Sequence, residues 1–206
     1  MGEHGLKRKM LAAREDLVDQ VSEVANRGGF TLFGVANEAL EHIVKLDKSG
    51  LRLNDVVKEY EILKAARDAG FVLVPEGLLY DAMDKAYREG KTWMMKKWVE
   101  SGEWCGKYYS VKEAEDKLQR LFEDLRGFFW NAKDFELSQK GDNAVSVRCA
   151  SSRFPESYAA FLGSFLEGVL GVLGYKCVQR DVVKGFLELK FETTKGGSAT
   201  DGGEVR

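Results

Sequence analysis

The sequence has few of the residues that usually build metal centres and nucleophilic sites. It contains three cysteines and two histidines in 206 residues. The cysteines, Cys105, Cys149 and Cys177, are far apart and odd in number, so they predict neither a C-x-x-C pair nor a disulfide framework. Both histidines, His4 and His42, lie near the N-terminus, away from most of the chain. We therefore expect no metal, no cofactor and a reducing, intracellular setting.

The chain also lacks an excess of positive charge and a long uninterrupted apolar run. Its formal net charge is -2, so nucleic-acid binding would have to depend on a local cluster of basic residues. The longest apolar run, residues 158–175, is broken by Ser164 and Glu167 and predicts a buried helix. No apolar core of a signal peptide follows the N-terminus. These features predict a cytoplasmic protein without a membrane partner.

Motifs of the common enzyme classes are missing as well. Residues 90–92 read Gly-Lys-Thr but lack the upstream glycine of a P-loop, and neither G-x-S-x-G nor H-E-x-x-H occurs. Glu167 is the one acidic residue inside an apolar stretch, and a single carboxylate seldom makes a site. We expect a protein that is not an enzyme. A small-molecule-binding enzyme built on the C-terminal part is the remote alternative.

What the sequence does contain is a helical pattern followed by an alternating one. Apolar spacing predicts helices at residues 15–27, 31–46 and 53–69, one opening at Pro75, and others at 92–100 and 111–129, with residues 101–110 as a connection. Alternation then predicts a hairpin over 135–149, a glycine-containing helix over 155–173 and a second hairpin over 175–192. The expected fold class is α+β, ending in a β-β-α-β-β antiparallel-sheet domain.

The N-terminal segment carries a basic stretch before its two helices. The sequence KRKMLAARED, the stripe of Leu17, Val21, Val24 and Ala25, the Gly28-Gly29 turn and the N-capping Thr31 resemble the ribbon-helix-helix (Arc/MetJ-like) DNA-binding family. The resemblance implies a strand at residues 7–13 that pairs with a second copy. It predicts a homodimeric transcriptional regulator with double-stranded DNA as its partner.

The resemblance also implies a DNA-binding surface. The expected contact residues are Lys7, Arg8, Lys9, Met10, Ala12 and Thr31. Arg8, Met10 and Ala12 would face the major groove, and the N-terminus of the second helix at Thr31 would face a phosphate. A register shifted by one residue would present Lys7 and Lys9 instead. Two alternatives remain open, namely an ordinary helical hairpin and a non-catalytic scaffold in which the ribbon serves dimerisation only.

The C-terminal part resembles another family. Residues 145–149, 161–177 (FLGSFLEGVLGVLGYKC) and 185–192 (GFLELKFE) are similar to the vinyl-4-reductase-like sensor domains related to the TRAPP fold. The resemblance implies a small apolar ligand. The aromatic side chains of the middle third predict a pocket for it, formed by Trp104, Tyr108, Trp130, Cys149 and Phe165. Ordinary core packing of these side chains is the alternative. A haem is not expected, because neither histidine lies in this part. The predicted domains are residues 1–46, a sensor or interaction domain at 47–192 and a disordered tail at 193–206.

Overall fold

The computed structural model describes residues 9–111, 117–141 and 143–194. The elements in chain order are α1 Glu15–Gly28, α2 Leu32–Lys48, α3 Leu53–Asp68, α4 Glu76–Val111, α5 Lys117–Phe128, β1 Asp134–Lys140, β2 Ala144–Ala150, α6 Glu156–Val172, β3 Tyr175–Val183 and β4 Phe186–Thr193. Helices together with one antiparallel sheet confirm the predicted α+β class. Backbone contacts divide the chain into two compact units, Met1–Lys58 and Glu59–Arg206.

The first unit contains a helical hairpin. Helix α1 ends at Gly29, whose φ of 71° is in the left-handed region that glycine adopts without a steric penalty. The hydroxyl of Thr31 then accepts a hydrogen bond at 3.0 Å from the backbone N–H of Gly34 and caps α2. Both predicted helices and the predicted cap are therefore present.

The predicted N-terminal ribbon strand is not confirmed. Residues 9–14 form neither helix nor strand, and the remainder of the predicted strand, including Lys7 and Arg8, lies outside the described residues. Seven residues of alternating character are a weak signal, because an irregular chain leading into a helix can show the same pattern. In the described range the first unit matches the alternative of an ordinary helical hairpin.

Helix α4 is longer than predicted. Residues 101–110, predicted as a connection, are helical, and the non-helical backbone of Gly90 divides α4 into two segments. This segment contains Gly102 and Gly106, and glycine has a low intrinsic helix propensity. In the structure they lie one helical turn apart and are buried, as are Cys105 and Tyr109, so these residues form a packing face.

The two predicted hairpins form a single four-stranded sheet in the order β1-β2-β4-β3. Val147 of β2 is paired with Leu189 of β4, and both are fully buried. Alternate residues of each strand face the same side of a sheet. The buried side chains are accordingly Val145, Val147 and Cys149 on β2 and Leu187, Leu189 and Phe191 on β4. One face of the sheet therefore forms part of the core.

Helix α6 contacts strands β3 and β4 as well as α4, and most of its residues are buried. Its close approach to α4 depends on glycine. A Cβ atom added at Gly168 would lie 2.2 Å from the carbonyl oxygen of Val99 on α4, and one added at Gly106 would lie 2.7 Å from the carbonyl oxygen of Val169. The two helices therefore touch backbone to backbone.

The structure does not test several of the sequence predictions. Residues 195–206 of the predicted disordered tail lie outside the described residues. The domain limits at 46 and 192 stay a prediction. None of the helices in the described ranges carries a stretch long and apolar enough to span a bilayer.

Candidate functional site

The second unit contains a cavity of about 730 Å³. Its walls come from the segment after α3 (residues 69–74), the two segments of α4, the residues around the end of α5 and helix α6. A volume of this size is within the usual range for sites that bind small molecules. The cavity is the candidate functional site of the described residues.

Aromatic rings form much of the cavity lining. They belong to Phe71, Trp98, Trp104, Phe128, Phe129, Trp130, Tyr158 and Phe165. The structure thus brings together Trp104, Trp130 and Phe165 from the predicted pocket. Tyr108 and Cys149 are not among the lining residues: the Tyr108 ring packs against that of Tyr109, and Cys149 is fully buried in the sheet.

The rings make a buried floor and an exposed rim. Phe165 and Tyr158 are 5% and 4% exposed, whereas Trp104 and Trp130 are 67% and 60% exposed. Exposed apolar side chains are informative where they are grouped at a cavity, since such a patch can mark a binding site. Phe71 anchors the segment beside the rim, because its ring lies 4.9 Å from that of Phe128.

A hydrogen-bonded group of polar side chains lies at one part of the lining. The Asn131 amide donates to the hydroxyl oxygens of Tyr80 at 3.1 Å and Tyr158 at 3.0 Å. The Tyr80 hydroxyl donates to the Glu76 carboxylate at 2.7 Å, and Arg153 pairs with that carboxylate at 2.8 Å. Burial and the hydrogen bond to Glu76 raise the pKa of Tyr80, and burial raises the pKa of Tyr158 to about 12.

A second polar pair belongs to the part of the lining formed by α4. The Lys97 ammonium donates to the Glu100 carboxylate at 2.6 Å, and both side chains line the cavity. This hydrogen bond lowers the pKa of Glu100 below its usual value. The Glu100 carboxylate is therefore ionised at neutral pH.

The cavity also reaches a buried thiol. Cys105 lines it and is 1% exposed. Burial, together with the charge of Asp124, raises the pKa of the Cys105 thiol to about 12. A thiol that stays protonated is a poor nucleophile and a poor metal ligand. In the described ranges, His, Cys, Asp and Glu side chains form no group of three or more placed to hold a metal ion.

The predicted DNA-contact residues lie in the other unit. Lys9, Met10 and Ala12 are exposed and precede α1, while the Thr31 hydroxyl is already bonded to the Gly34 N–H. Lys7 and Arg8 are outside the described residues. The assignment of these residues to DNA contact is not tested by their positions.

Sequence reasoning missed Phe71, Asn131 and Glu76. Phe71 belongs to a four-residue apolar run that follows the glycine ending α3, and an apolar run beside a helix end was the available signal. Asn131 and Glu76 are 55 positions apart in the sequence, and no local pattern connects them. Only the tertiary fold brings them to one cavity.

Comparisons with known proteins give weak structural neighbours only. No protein-family model matches the chain, and no curated protein matches it. A solved structure from a study of haem distortion in the H-NOX family has 14% identity, covers 74% of this chain and 94% of its own, and gives a TM-score of 0.37. A structure on haem redox potential and porphyrin distortion has 16% identity, coverages of 68% and 92%, and a TM-score of 0.34. A doubly substituted H-NOX protein has 15% identity, coverages of 74% and 94%, and a TM-score of 0.35.

These neighbours correct the resemblance to known families and the functional prediction drawn from it. The solved structures found are H-NOX domains, not ribbon-helix-helix proteins. The predictions of a ribbon-helix-helix regulator and of double-stranded DNA as its partner are therefore wrong. The physical reason is that apolar stripes and a glycine turn specify a pair of amphipathic helices, which occurs in many folds. Neither family resemblance is supported by the neighbours.

Proposed function

We propose that the second unit binds a small, largely apolar organic molecule in the cavity lined by its aromatic side chains. The observation that carries the proposal is the combination of a cavity of about 730 Å³ with two exposed tryptophans at its rim, Trp104 and Trp130. Burying the exposed rings against a ligand would stabilise the complex, because each large aromatic removes much apolar area from water.

The lining residues do not match the haem named for the neighbouring structures. Haem iron is usually held by a histidine, a thiolate, a methionine or a tyrosinate. Among the described lining residues there is no histidine or methionine, and burial raises the pKa values of Cys105 and Tyr158 to about 12. The cationic side chain of the lining, Lys97, is paired with Glu100. The side chains favour an organic ligand held by apolar contact.

We propose binding without catalysis, in keeping with the expectation from the sequence. The support is chemical. The Glu76 carboxylate accepts from Tyr80 and pairs with Arg153, and the thiol and phenol nearest the cavity hold their protons at neutral pH. Groups of this kind are poorly suited to act as a general base or a nucleophile. A cytoplasmic location likewise stays a proposal, based on the cysteine content of the sequence.

Titration with N-phenyl-1-naphthylamine tests the proposal, because this uncharged dye becomes fluorescent in apolar surroundings. We expect saturable binding with one site per chain. Trp104→Ala and Trp130→Ala should each weaken it by about tenfold, since loss of an aromatic contact and its buried area costs more than 1 kcal/mol.

The matched control is Trp93→Ala, because Trp93 is 61% exposed on the same helix as Trp104 and does not line the cavity. Its affinity for the dye should equal that of the wild type. Parallel titration with hemin should give no stoichiometric Soret shift. Dye binding that is absent, or equal in all variants, would contradict the proposal.

A further inference from the structure

The charges of the cavity lining are already paired with one another. Lys97 is the cation among the described lining residues, and its ammonium is 2.6 Å from the Glu100 carboxylate at the solvent-exposed side of the lining, where the two side chains are 49% and 42% exposed. The other lining carboxylate, Glu76, is 2.8 Å from the Arg153 guanidinium and accepts from Tyr80 at 2.7 Å. A charged ligand that leaves both pairs intact and lies among the buried rings would therefore have no counter-ion.

Entering without a counter-ion is costly. An ion loses the stabilisation of bulk water when it is buried among apolar groups, unless a partner of opposite charge replaces that water. Here the surroundings are mostly aromatic rings, such as Trp98, Phe129 and Phe165. The cavity should thus discriminate against ions of either sign.

One neutral polar group in the lining retains hydrogen-bonding capacity. The Asn131 amide N–H donates to two tyrosine oxygens, whereas its carbonyl oxygen accepts only a long hydrogen bond, 3.4 Å, from the Tyr158 hydroxyl. That distance is longer than an ordinary O–H···O hydrogen bond. The Asn131 carbonyl oxygen can therefore accept a hydrogen bond from a ligand, and the Tyr158 hydroxyl can donate one to it. A ligand group that both donates and accepts, such as an alcohol or an amide, would bind to the two.

We infer that the cavity selects uncharged aromatic molecules that carry one hydroxyl or amide group, and that it rejects carboxylates and amines of the same size. The inference rests on the proposed function and adds the chemical class of the ligand. Aromatic walls favour a flat ring system, because rings pack in offset or edge-to-face arrangements with neighbouring rings.

Calorimetric titration with three naphthalenes at neutral pH tests the inference. The probes are 2-naphthylmethanol, 2-naphthoate and 2-naphthylmethylammonium, which share the ring and differ in charge. We expect the alcohol to bind at least about tenfold more tightly than either ion, because an unpaired buried charge is strongly disfavoured.

A variant of Glu100 tests whether the Lys97–Glu100 pair causes the preference for uncharged ligands. Glu100→Gln removes the partner of Lys97, so the ratio of naphthoate affinity to alcohol affinity should rise several-fold. Glu89→Gln changes an exposed glutamate of the same helix outside the cavity lining and should leave the ratio as in the wild type.

The outcomes separate the inference from the proposed function. Stronger binding of naphthoate or of the ammonium, equal binding of all three, or dye binding without binding of any naphthalene would overturn the selection rule and leave the apolar site in place. Failure of the dye and of all three naphthalenes would remove the proposed function itself. An unchanged affinity ratio in Glu100→Gln would show that the Lys97–Glu100 pair does not set the preference.

Discussion

Gly102 of α4 stands directly against the backbone of Phe165 on α6: a Cβ atom added at Gly102 would lie 2.0 Å from the Phe165 carbonyl oxygen. Because Phe165 also lines the cavity, the close packing of these two helices and the shape of the site depend on the same contact.

Gly102→Ala should therefore destabilise the protein. Two backbones must separate to admit the methyl group, and overpacking of this kind costs about 1–3 kcal/mol. Urea unfolding measures the change. Gly171→Ala is the matched control, since an added Cβ there meets nothing within 4 Å and replacing glycine in a helix stabilises it by up to about 1 kcal/mol. Equal stability of the two variants would disprove the close crossing.

Tyr109→Phe should destabilise the core of the second unit. The Tyr109 hydroxyl donates to the Asp124 carboxylate at 2.7 Å, and each residue is only 1% exposed. Deleting the hydroxyl takes a donor from a buried charge, which costs about 1–3 kcal/mol of unfolding free energy. Tyr60→Phe removes a hydroxyl from a residue that is 64% exposed, and its unfolding midpoint should match that of the wild type. A Tyr109→Phe midpoint as high as that of Tyr60→Phe would count against a stabilising role for this bond.

Stability should fall as the pH rises above about 9. Burial raises the pKa of the Cys105 and Cys149 thiols from 9.0 to about 12 in the folded protein. Between these pH values the unfolded chain has lost thiol protons that the native chain retains, so the free energy of unfolding decreases with pH. Each thiol contributes a slope of up to about 1.4 kcal/mol per pH unit.

Urea midpoints measured across this pH range check the thiol effect. Cys149→Ala should lower the midpoint at neutral pH, because a buried group is removed, and should also make the alkaline decline shallower. An identical alkaline slope in wild type and variant would mean that folding does not raise the pKa of Cys149.

The ion pair between Arg180 and Glu167 should stabilise the contact of β3 with α6. Their charged atoms are 2.5 Å apart, and Arg180 also donates to the Ala160 carbonyl oxygen at 2.7 Å. A double-mutant cycle with Glu167→Gln and Arg180→Met should give a coupling energy of about 1 kcal/mol, reduced from that of a buried pair by partial exposure.

The same cycle on Arg67 and Asp68 supplies the comparison. This pair is mostly exposed and 3.9 Å apart, so its coupling should be close to zero. A comparable coupling energy in both pairs would mean that partial burial does not strengthen the ion pair between Arg180 and Glu167. The cycle also tests the interpretation of Glu167, the acid that the sequence singled out, as a structural residue.

The sequence by itself determined the first three helices, α6 and much of the sheet, but not the extent of α4. Alternation fixed which side of β2 and β4 is buried, because only one register places Val147 and Leu189 toward the core. Helical periodicity located α1, α2 and α3 to within about two residues, which is the usual uncertainty of helix ends. Aromatic content indicated Trp104, Trp130 and Phe165 as pocket residues.

Only the tertiary structure decided what the glycines of α4 do and which polar groups meet. Glycine lowers local helix propensity, yet Gly102 and Gly106 let α4 approach α6 to backbone contact, and local propensity yields to that packing. Asn131 follows α5, and its hydrogen bonds to Tyr80 of α4 and Tyr158 of α6 exist only after these parts of the chain have packed. Local patterns specify helices and strands because those depend on near neighbours, whereas a binding site depends on contacts between distant parts of the chain.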